Sequence, residues 1–477
     1  MSETLKEKTA KGLFWGGVNN FLTQLLNLII GIFLARWLSP SDYGMVGMLA
    51  IFSALAGSLQ ESGFIAGITN LKNPTAKDYN AVFWFSLLVG ISLYIILYLA
   101  SPLIALFFHQ PELARLSHLV FLSFVLAGMG TAHSAYMFRN MMNKEKAIIA
   151  VAALIISGGV GLTLAHYGYA YWSIAWQQLL YIAVTDIGKV ICVKWLPSLN
   201  FDFSPLRKMF NFSYKILLTN IVNNINNNIL SFIFGRLFAP YSVGNFTQAN
   251  KWSSMAYSLV SGTVAQVAQP IFSSVSDEQE RQVRAFHKMM RFTAFIAFPV
   301  LFGLALVADE FIRITISDKW ADSIPLLQIL CLGGAFIPFT TISQNLIISR
   351  GRSDIYMYCT ISQILFQIVV MIFIYPFGIT VMVAAFSLIN ILWFGVWQHF
   401  VCRISDIRLL TILKDIIPFL AISLSVMAVT WFVTQPIEDL LFLLFVRIFI
   451  AASLYFLVMK MAHAVILEEC LAYLFKR

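Results

Sequence analysis

The sequence predicts an all-α integral membrane protein of about fourteen transmembrane helices. Two six-helix lobes are expected, related by a pseudo-two-fold axis along the membrane normal, with a further helix pair at the C-terminal end. Three observations predict this. First, 59% of the 477 residues are hydrophobic, only 12% are charged, and the mean hydropathy is +0.79, outside the range of water-soluble domains. Second, almost every apolar run reaches about 20 residues, enough to cross a ~30 Å hydrocarbon core as a helix, and no alternating ten-residue pattern suggests a barrel. Third, the stretch Lys11 to Phe52 is written again, offset by 200 positions, at Arg207 to Trp252.

Taken in order, the apolar runs place helices near 13–36, 43–66, 79–107, 116–138, 146–166 and 169–192, then 211–235, 242–272, 289–316, 324–348, 355–375 and 377–400. The pair 412–433 and 440–462 follows. Residues 1–12 form a short amphipathic lead-in. Links such as Tyr167-Gly168 and Tyr375 to Gly378 are tight helical hairpins marked by Gly or Pro. The linker Pro197 to Pro205, polar and holding two prolines, is the natural lobe boundary. The expected organisation is thus 1–196 for the first lobe, 197–210 for a cytoplasmic linker, 211–405 for the second lobe and 406–477 for the last helices and tail. Six helices per repeat is an even number, so the second copy enters the membrane in the same sense as the first. Pro299, Pro338 and Pro418 interrupt spans and offer bending points or packing kinks.

The basic residues set the orientation. With the N-terminus inside, 25 of the 32 Lys and Arg fall on cytoplasmic segments and five on the other side: Arg36, Arg115, Arg236, Arg313 and Lys319. Lys251 and Arg447 lie within helices. This asymmetry follows the positive-inside rule, and a missed or invented helix would have scrambled it. Both termini are expected in the cytoplasm. The net charge of +9 then reflects topology and contact with anionic membrane lipids, and nucleic acid is not implied because the basic residues are scattered over eight segments. No cleavable signal peptide is expected, since the first apolar run is long and lacks a small-residue cleavage site. The five cysteines show no CxxC spacing, so neither disulfides nor metal sites are expected.

The repeat also places polar residues where apolar ones would be expected. Asn220, Asn224 and Asn227 lie over Asn20, Gln24 and Asn27, and Arg236, Pro240 and Gly244 lie over Arg36, Pro40 and Gly44. Spacings of four and three put each trio on one helical stripe, joined in the second copy by Asn223. An amide inside an apolar helix needs a partner or water, so the stripes read as the lining of a cavity between two halves, where they could bind sugar hydroxyls. Interhelical hydrogen bonding is the alternative. Lys251 lies ~13 Å into helix eight, on a face with Gly244, Thr247, Ser254, Ser258 and Gly262. A cation on a small, polar face suits a watered groove that attracts an anionic headgroup, and the alternative is a stem that snorkels to the interface.

Arg447 either joins Lys251 in the same cationic field or is a snorkelling or structural arginine among greasy neighbours. Arg36 and Arg236 could hold an oxyanion, or cap the carbonyl end of their helices. Glu61, on a small-residue face with Gly47, Ala50, Ala54 and Gly57, and Asp186 could couple transport to H+ or Na+. Asp186 equally suits an i, i+3 pair with Lys189. For catalysis the signals are absent: the seven histidines have no metal-ligand spacing, no P-loop is present, and loops are too short to shape a site. No enzyme, no bound cofactor and no metal are expected.

The ordered motifs resemble one family. Leu34-Ala35-Arg36-Trp37-Leu38-Ser39-Pro40 through Gly44, Gln60-Glu61-Ser62-Gly63-Phe64 and Trp195-Leu196-Pro197 carry the first part. Gly235-Arg236 through Gly244, Gln248-Ala249-Asn250-Lys251-Trp252, the Pro270 to Arg284 segment, Lys319-Trp320, Pro325 to Leu330 and Gly351-Arg352-Ser353-Asp354 carry the second. Over roughly 5–405 the chain resembles the polysaccharide flippases of the MOP (multidrug, oligosaccharidyl-lipid and polysaccharide exporter) superfamily, of the O-antigen and capsule type. That resemblance implies two six-helix lobes around a cationic cavity and alternating access. It also implies movement of undecaprenyl-pyrophosphate-linked oligosaccharide from the cytoplasmic to the periplasmic leaflet of a bacterial inner membrane, driven by a proton or Na+ gradient. Partners implied are the lipid-linked oligosaccharide, polysaccharide polymerase and glycosyltransferases. Lys251 falls on the basic place of the helix-eight motif, while the cavity is otherwise rich in asparagine and poor in arginine, which fits a weakly charged or neutral glycan. The alternatives are a drug–cation antiporter of the same superfamily, which predicts a carboxylate-rich cavity, and a non-transporting scaffold for polysaccharide assembly.

Overall fold

Helical structure dominates the computed structural model, which describes residues 5–469 except 61–62, 72, 200, 276–277, 406 and 463; of some further residues, many of them in 5–18, only the backbone is described. The chain divides into two units, Met1–Gly244 and Asn245–Arg477. In the first, α1 (Leu5–Trp37) leads into three short helices, α2 (Pro40–Met48), α3 (Ala50–Gln60) and α4 (Gly63–Asn70). Four longer ones follow, α5 (Ala76–Phe108), α6 (Leu113–Arg139), α7 (Asn143–His166) and α8 (Tyr171–Val193), and then α9 (Leu206–Leu237). The helix α10 (Pro240–Ser274) begins in the first unit and continues into the second. There it is joined by α11 (Gln279–Leu306), α12 (Ala308–Ile316), α13 (Ser323–Gly334), α14 (Ile337–Ser349), α15 (Ser353–Ile374), α16 (Ile379–Ser405), α17 (Leu409–Thr434) and α18 (Leu440–Met461). Ten stretches among the described residues are long and apolar enough to cross a membrane. The expected spans that fall short are helices two, six, seven and eight, and seven and eight carry the amide stripe and Lys251.

In the first unit α5 packs along α6, α7 along α8 and α1, and α9 lies on α3 and α4. The α5–α6 pair approaches closely through glycines: a Cβ on Gly90 would sit 2.4 Å from the Phe124 carbonyl oxygen, and one on Gly128 2.6 Å from that of Ser86. Small residues let helix backbones meet in lipid, where water does not drive them together. A second core surrounds Tyr79, Val82, Phe83, Ala132 and Ala135, and Met209 of α9 joins it. In the second unit α11 packs on α17, α13 on α16, and α17 on α18.

Three expected spans are interrupted. The span expected over 43–66 starts instead at Pro40, where Ser39 Oγ accepts from Asp42 N (3.3 Å) and Asp42 Oδ2 accepts from Ser39 N (2.8 Å), a reciprocal cap. That span is broken again at Leu49. The span expected over 289–316 breaks at Val307, and α12 restarts with Asp309 and Glu310 in its first turn, the favoured end for carboxylates. The span expected over 324–348 breaks at Ala335–Phe336, two residues before Pro338. Lacking an N–H and crowding the carbonyl four residues back, Pro338 serves as a helix start. Phe298, Phe336, Phe339 and Phe394 fill the break, with ring centroids 5.3–6.2 Å apart. Pro299 and Pro418 stay inside α11 and α17.

Candidate functional site

The duplicated turn is the best-defined local geometry. A Cβ on Gly44 would lie 1.8 Å from the Pro240 carbonyl oxygen, and a Cβ on Gly244 1.7 Å from that of Pro40. The two copies of RxxxPxxxG therefore cross back to back, each glycine under the other's proline carbonyl. A self-complementary contact of this kind follows from a local two-fold relation between repeated segments. Among the described residues it is the point where the sequence repeat becomes a spatial one.

Both amide stripes run into the core towards the C-terminal ends of their helices. On α1, Asn20 is exposed and Gln24 and Asn27 are half-buried, while Ile30 and Leu34, further along the same face, are buried. On α9, Asn220, Asn223 and Asn224 are half-buried and Asn227 exposed, ahead of buried Leu230 and Phe234. Asn224 Nδ2 donates to Ser58 Oγ (2.6 Å) and to the Asn220 carbonyl (3.1 Å), and Asn228 Nδ2 donates to the Asn224 carbonyl (2.9 Å). Asn224 thus ties α9 to α3, and both readings of the stripe have residues to support them.

Lys251 lies on the half-buried side of α10. At 100° per residue, Ala249, Ser253, Val260, Val264 and Ala268, all buried, form one face, and Thr247, Lys251, Ser254, Ser258 and Gly262 occupy a sector about 80° wide on the other. Those five residues are half-buried. Ser254 Oγ donates to Tyr257 Oη (3.1 Å), and Lys251 Nζ is 5.3 Å from the Trp252 ring centre. Lys251 has no carboxylate partner among the described residues. The second unit therefore leaves a cation and a row of hydroxyls outside its own core.

The other ionisable candidates are engaged. Arg447, on α18, is buried: Nη1 pairs with Glu310 Oε1 of α12 and reaches the Leu306 carbonyl (3.2 Å), while Nε donates to Thr434 Oγ1 (3.1 Å). Its charge is used inside the second unit by Glu310. Arg236 Nη1 lies 2.8 Å from His109 Nε2, and its guanidinium sits 5.3 Å from the Phe107 ring centre. Arg36 is exposed in the last turn of α1. Asp186 is buried and pairs with Lys189 (2.9 Å), the i, i+3 arrangement its spacing allows. Glu61 lies outside the described residues. No group of His, Cys, Asp and Glu suited to a metal occurs among the described residues.

Sequence reasoning missed Glu310, His109 and a cavity of about 480 Å³ lined by Arg350, Arg352 and Arg403. The acidic first turn of α12 was the one available signal for Glu310.

Broken spans, duplicated turns and polar faces inside apolar helices define the class of protein: a polytopic, all-helical membrane protein with the architecture of a transporter. The model of the polysaccharide biosynthesis protein family matches residues 33–325, and the chain belongs to that family. The lipopolysaccharide biosynthesis protein WzxC of Escherichia coli is 23% identical over 358 residues, covering 74% of this chain and 72% of that protein. The teichuronic acid biosynthesis protein TuaB of Bacillus subtilis is 22% identical, covering 74% of each. The succinoglycan biosynthesis transport protein ExoT of Rhizobium meliloti is 22% identical, covering 72% and 69%. In fold the chain is similar to the lipid II flippase MurJ in an inward closed conformation, with a TM-score of 0.81 at 15% identity, covering 95% of this chain and all of that one. It is also similar to an inward-facing multidrug resistance MATE transporter of the MOP superfamily, with a TM-score of 0.65 at 17% identity, covering 80% and 95%.

Proposed function

We propose that this protein is a flippase that carries undecaprenyl-pyrophosphate-linked oligosaccharide from the cytoplasmic to the periplasmic leaflet of a bacterial inner membrane. The observation that carries the reading is the half-buried polar face of α10, where Lys251 stands among hydroxyls with no carboxylate partner among the described residues. A cation held in a small, polar sector of an otherwise apolar helix costs free energy unless water or an anion meets it. A diphosphate is such an anion. The amides of α1 and α9 offer paired donors and acceptors to sugar hydroxyls. Relatives named for lipopolysaccharide, teichuronic acid and succinoglycan biosynthesis support a glycan cargo, and their variety fits a face that recognises the shared diphosphate more than any one sugar.

Movement occurs by alternating access, coupled to a proton or Na+ gradient, with both termini in the cytoplasm. Glycosyltransferases supply the lipid-linked unit and a polymerase consumes it. The cargo needs no chemical change, and the chain acts as a carrier with no enzymatic step.

The test is Lys251→Ala in the native host. Flipping is expected to slow roughly tenfold or more, the value of one charge-assisted contact, with lipid-linked saccharide accumulating inside and surface polysaccharide falling. Unaltered surface polysaccharide would remove Lys251 from the mechanism. If a Lys251 and Asn224 double mutant fully complements a deletion, the chain is a scaffold and not a carrier.

A further inference from the structure

A second basic site lies far from Lys251 in the sequence and uses none of the residues discussed for transport. It sits where α14 ends, α15 begins and α16 ends, so three helix termini converge at one end of the second unit. The sequence brings it together through the turn Arg350-Gly351-Arg352. The Arg350 N–H caps α14 on the Leu346 carbonyl (3.2 Å), Gly351 takes a left-handed conformation (φ +74°), and the Arg352 N–H turns back to the Ile347 carbonyl (3.2 Å). Two arginines one residue either side of a left-handed glycine are thereby held at the same helix junction. Arg403, in the last turn of α16, supplies the third. Together with Ile355, Phe400 and Ile404 they line the cavity of about 480 Å³, a size ordinary for small-ligand sites.

The charges in this cavity are unbalanced. Arg352 already grips Asp354 with two hydrogen bonds, Nε to Oδ1 (3.0 Å) and Nη2 to Oδ2 (2.9 Å). That contact raises the Arg352 guanidinium above its ordinary value. Arg403 has no ion pair among the described residues. Arg350 is the informative one: its Nε and Nη2 are shielded from solvent and have no hydrogen-bond partner among the described residues. Those two N–H groups form the side-on edge of the guanidinium, the edge that engages an oxyanion with two parallel bonds. Leaving charged donors desolvated and unfilled is costly, and an oxyanion relieves it. Phe400, Ile355 and Ile404 on the same wall make the site amphipathic, suited to an anion that arrives on an apolar stem.

We infer that this cavity binds the phosphoryl headgroup of a membrane lipid. The inference stands apart from the transport reading, since it concerns binding at one end of the second unit and requires no movement of the lipid. Phosphoryl chemistry is common to two sources, the bulk anionic phospholipids and a polyprenyl diphosphate, and the site is defined by what they share.

The experiment uses the full-length protein purified in a non-ionic detergent, with affinity read by tryptophan fluorescence titration. The probes are undecaprenyl diphosphate, phosphatidylglycerol, zwitterionic phosphatidylcholine and inorganic diphosphate. Arg350→Gln and Arg403→Gln are each expected to weaken binding of at least one anionic lipid about tenfold, the value of one charge-assisted contact. Arg403 is exposed at a helix end, so its variant keeps the fold even if Arg350→Gln does not. Arg284→Gln, which removes the same charge from an exposed position paired with Glu280 (3.4 Å), is expected to leave affinity unchanged. A loss confined to undecaprenyl diphosphate identifies the lipid-linked diphosphate as ligand, and an equal loss for phosphatidylglycerol identifies the bulk lipid; both support the site. Equal affinities in the wild type and both site variants, an equal loss in Arg284→Gln, or inorganic diphosphate binding as tightly as the lipids would overturn it. Failure of flipping in Lys251→Ala bears on neither outcome.

Discussion

Arg447 and Glu310 show what ionisable residues cost inside this molecule. Glu310 is 2% and Arg447 8% exposed, the arginine meets Oε1, and Glu310 Oε2 has no hydrogen-bond partner among the described residues. Burying two charges is offset only while both are present, because removing one strands the other in a medium that cannot solvate it. Arg447→Ala is therefore expected to destabilise the protein by about 3–5 kcal/mol, seen as a lower thermal transition in detergent. The double replacement Arg447→Met with Glu310→Leu is expected to recover most of that loss. If the single variant melts with the wild type, the pair contributes nothing to holding α18 on α12. Lys251 is the contrast: among the described residues it has no acid to answer it, so its charge remains available to a ligand.

At the scale of elements, tethers and close approaches matter more than hydrophobic area, since lipid is as apolar as leucine. Within the second unit, the appended pair α17 and α18 is tied to α11. His287 and Arg291 of α11 meet Asp415 of α17, the arginine at 3.4 Å. Lys288 meets Glu469 at 2.7 Å, and Tyr455 Oη donates to the Phe295 carbonyl (2.9 Å). The crossing of α2 with the start of α10 depends on two missing side chains. A methyl at Gly44 or Gly244 would collide with a proline carbonyl, a backbone group that cannot rotate away. Gly44→Ala and Gly244→Ala are each expected to cost at least about 1–3 kcal/mol and to lower the yield of folded protein on size-exclusion chromatography. Wild-type yield and melting for both would mean that the crossing is looser than these distances imply. The repeated glycine was visible in the sequence, but nothing in the sequence told that each copy lies under the other's proline.

For the whole molecule, the basic residues predict orientation. A fusion at Arg477 to a reporter active only outside the cytoplasm is expected to be silent, and the same reporter in the loop around Lys319 active. Reversal of the two signals would invert the topology and move the arginine cavity to the outer side. Span number, repeat and membrane class were legible because hydropathy is a local property: about 20 apolar residues in a row need no knowledge of their neighbours to require lipid. The stripes of Asn20, Gln24, Asn27 and Asn220, Asn224, Asn227 were legible for a similar reason, since 3.6-residue periodicity fixes a face in one dimension. The break at Ala335 was not, because the apolar run continues through it and the rings of Phe298, Phe336, Phe339 and Phe394 meet there only in the folded chain.

By itself, the sequence determined that this chain crosses a membrane many times, that its first helical turn unit is duplicated, and that Lys251 and the amides sit on polar faces within apolar helices. Tertiary structure alone decided who answers each charge: Glu310 for Arg447, His109 for Arg236, and, among the described residues, no acceptor for Nε and Nη2 of Arg350. The physical reason is that hydropathy and periodicity are properties of neighbours along the chain, whereas a salt bridge joins residues 137 positions apart and leaves no trace in the order of the residues between them.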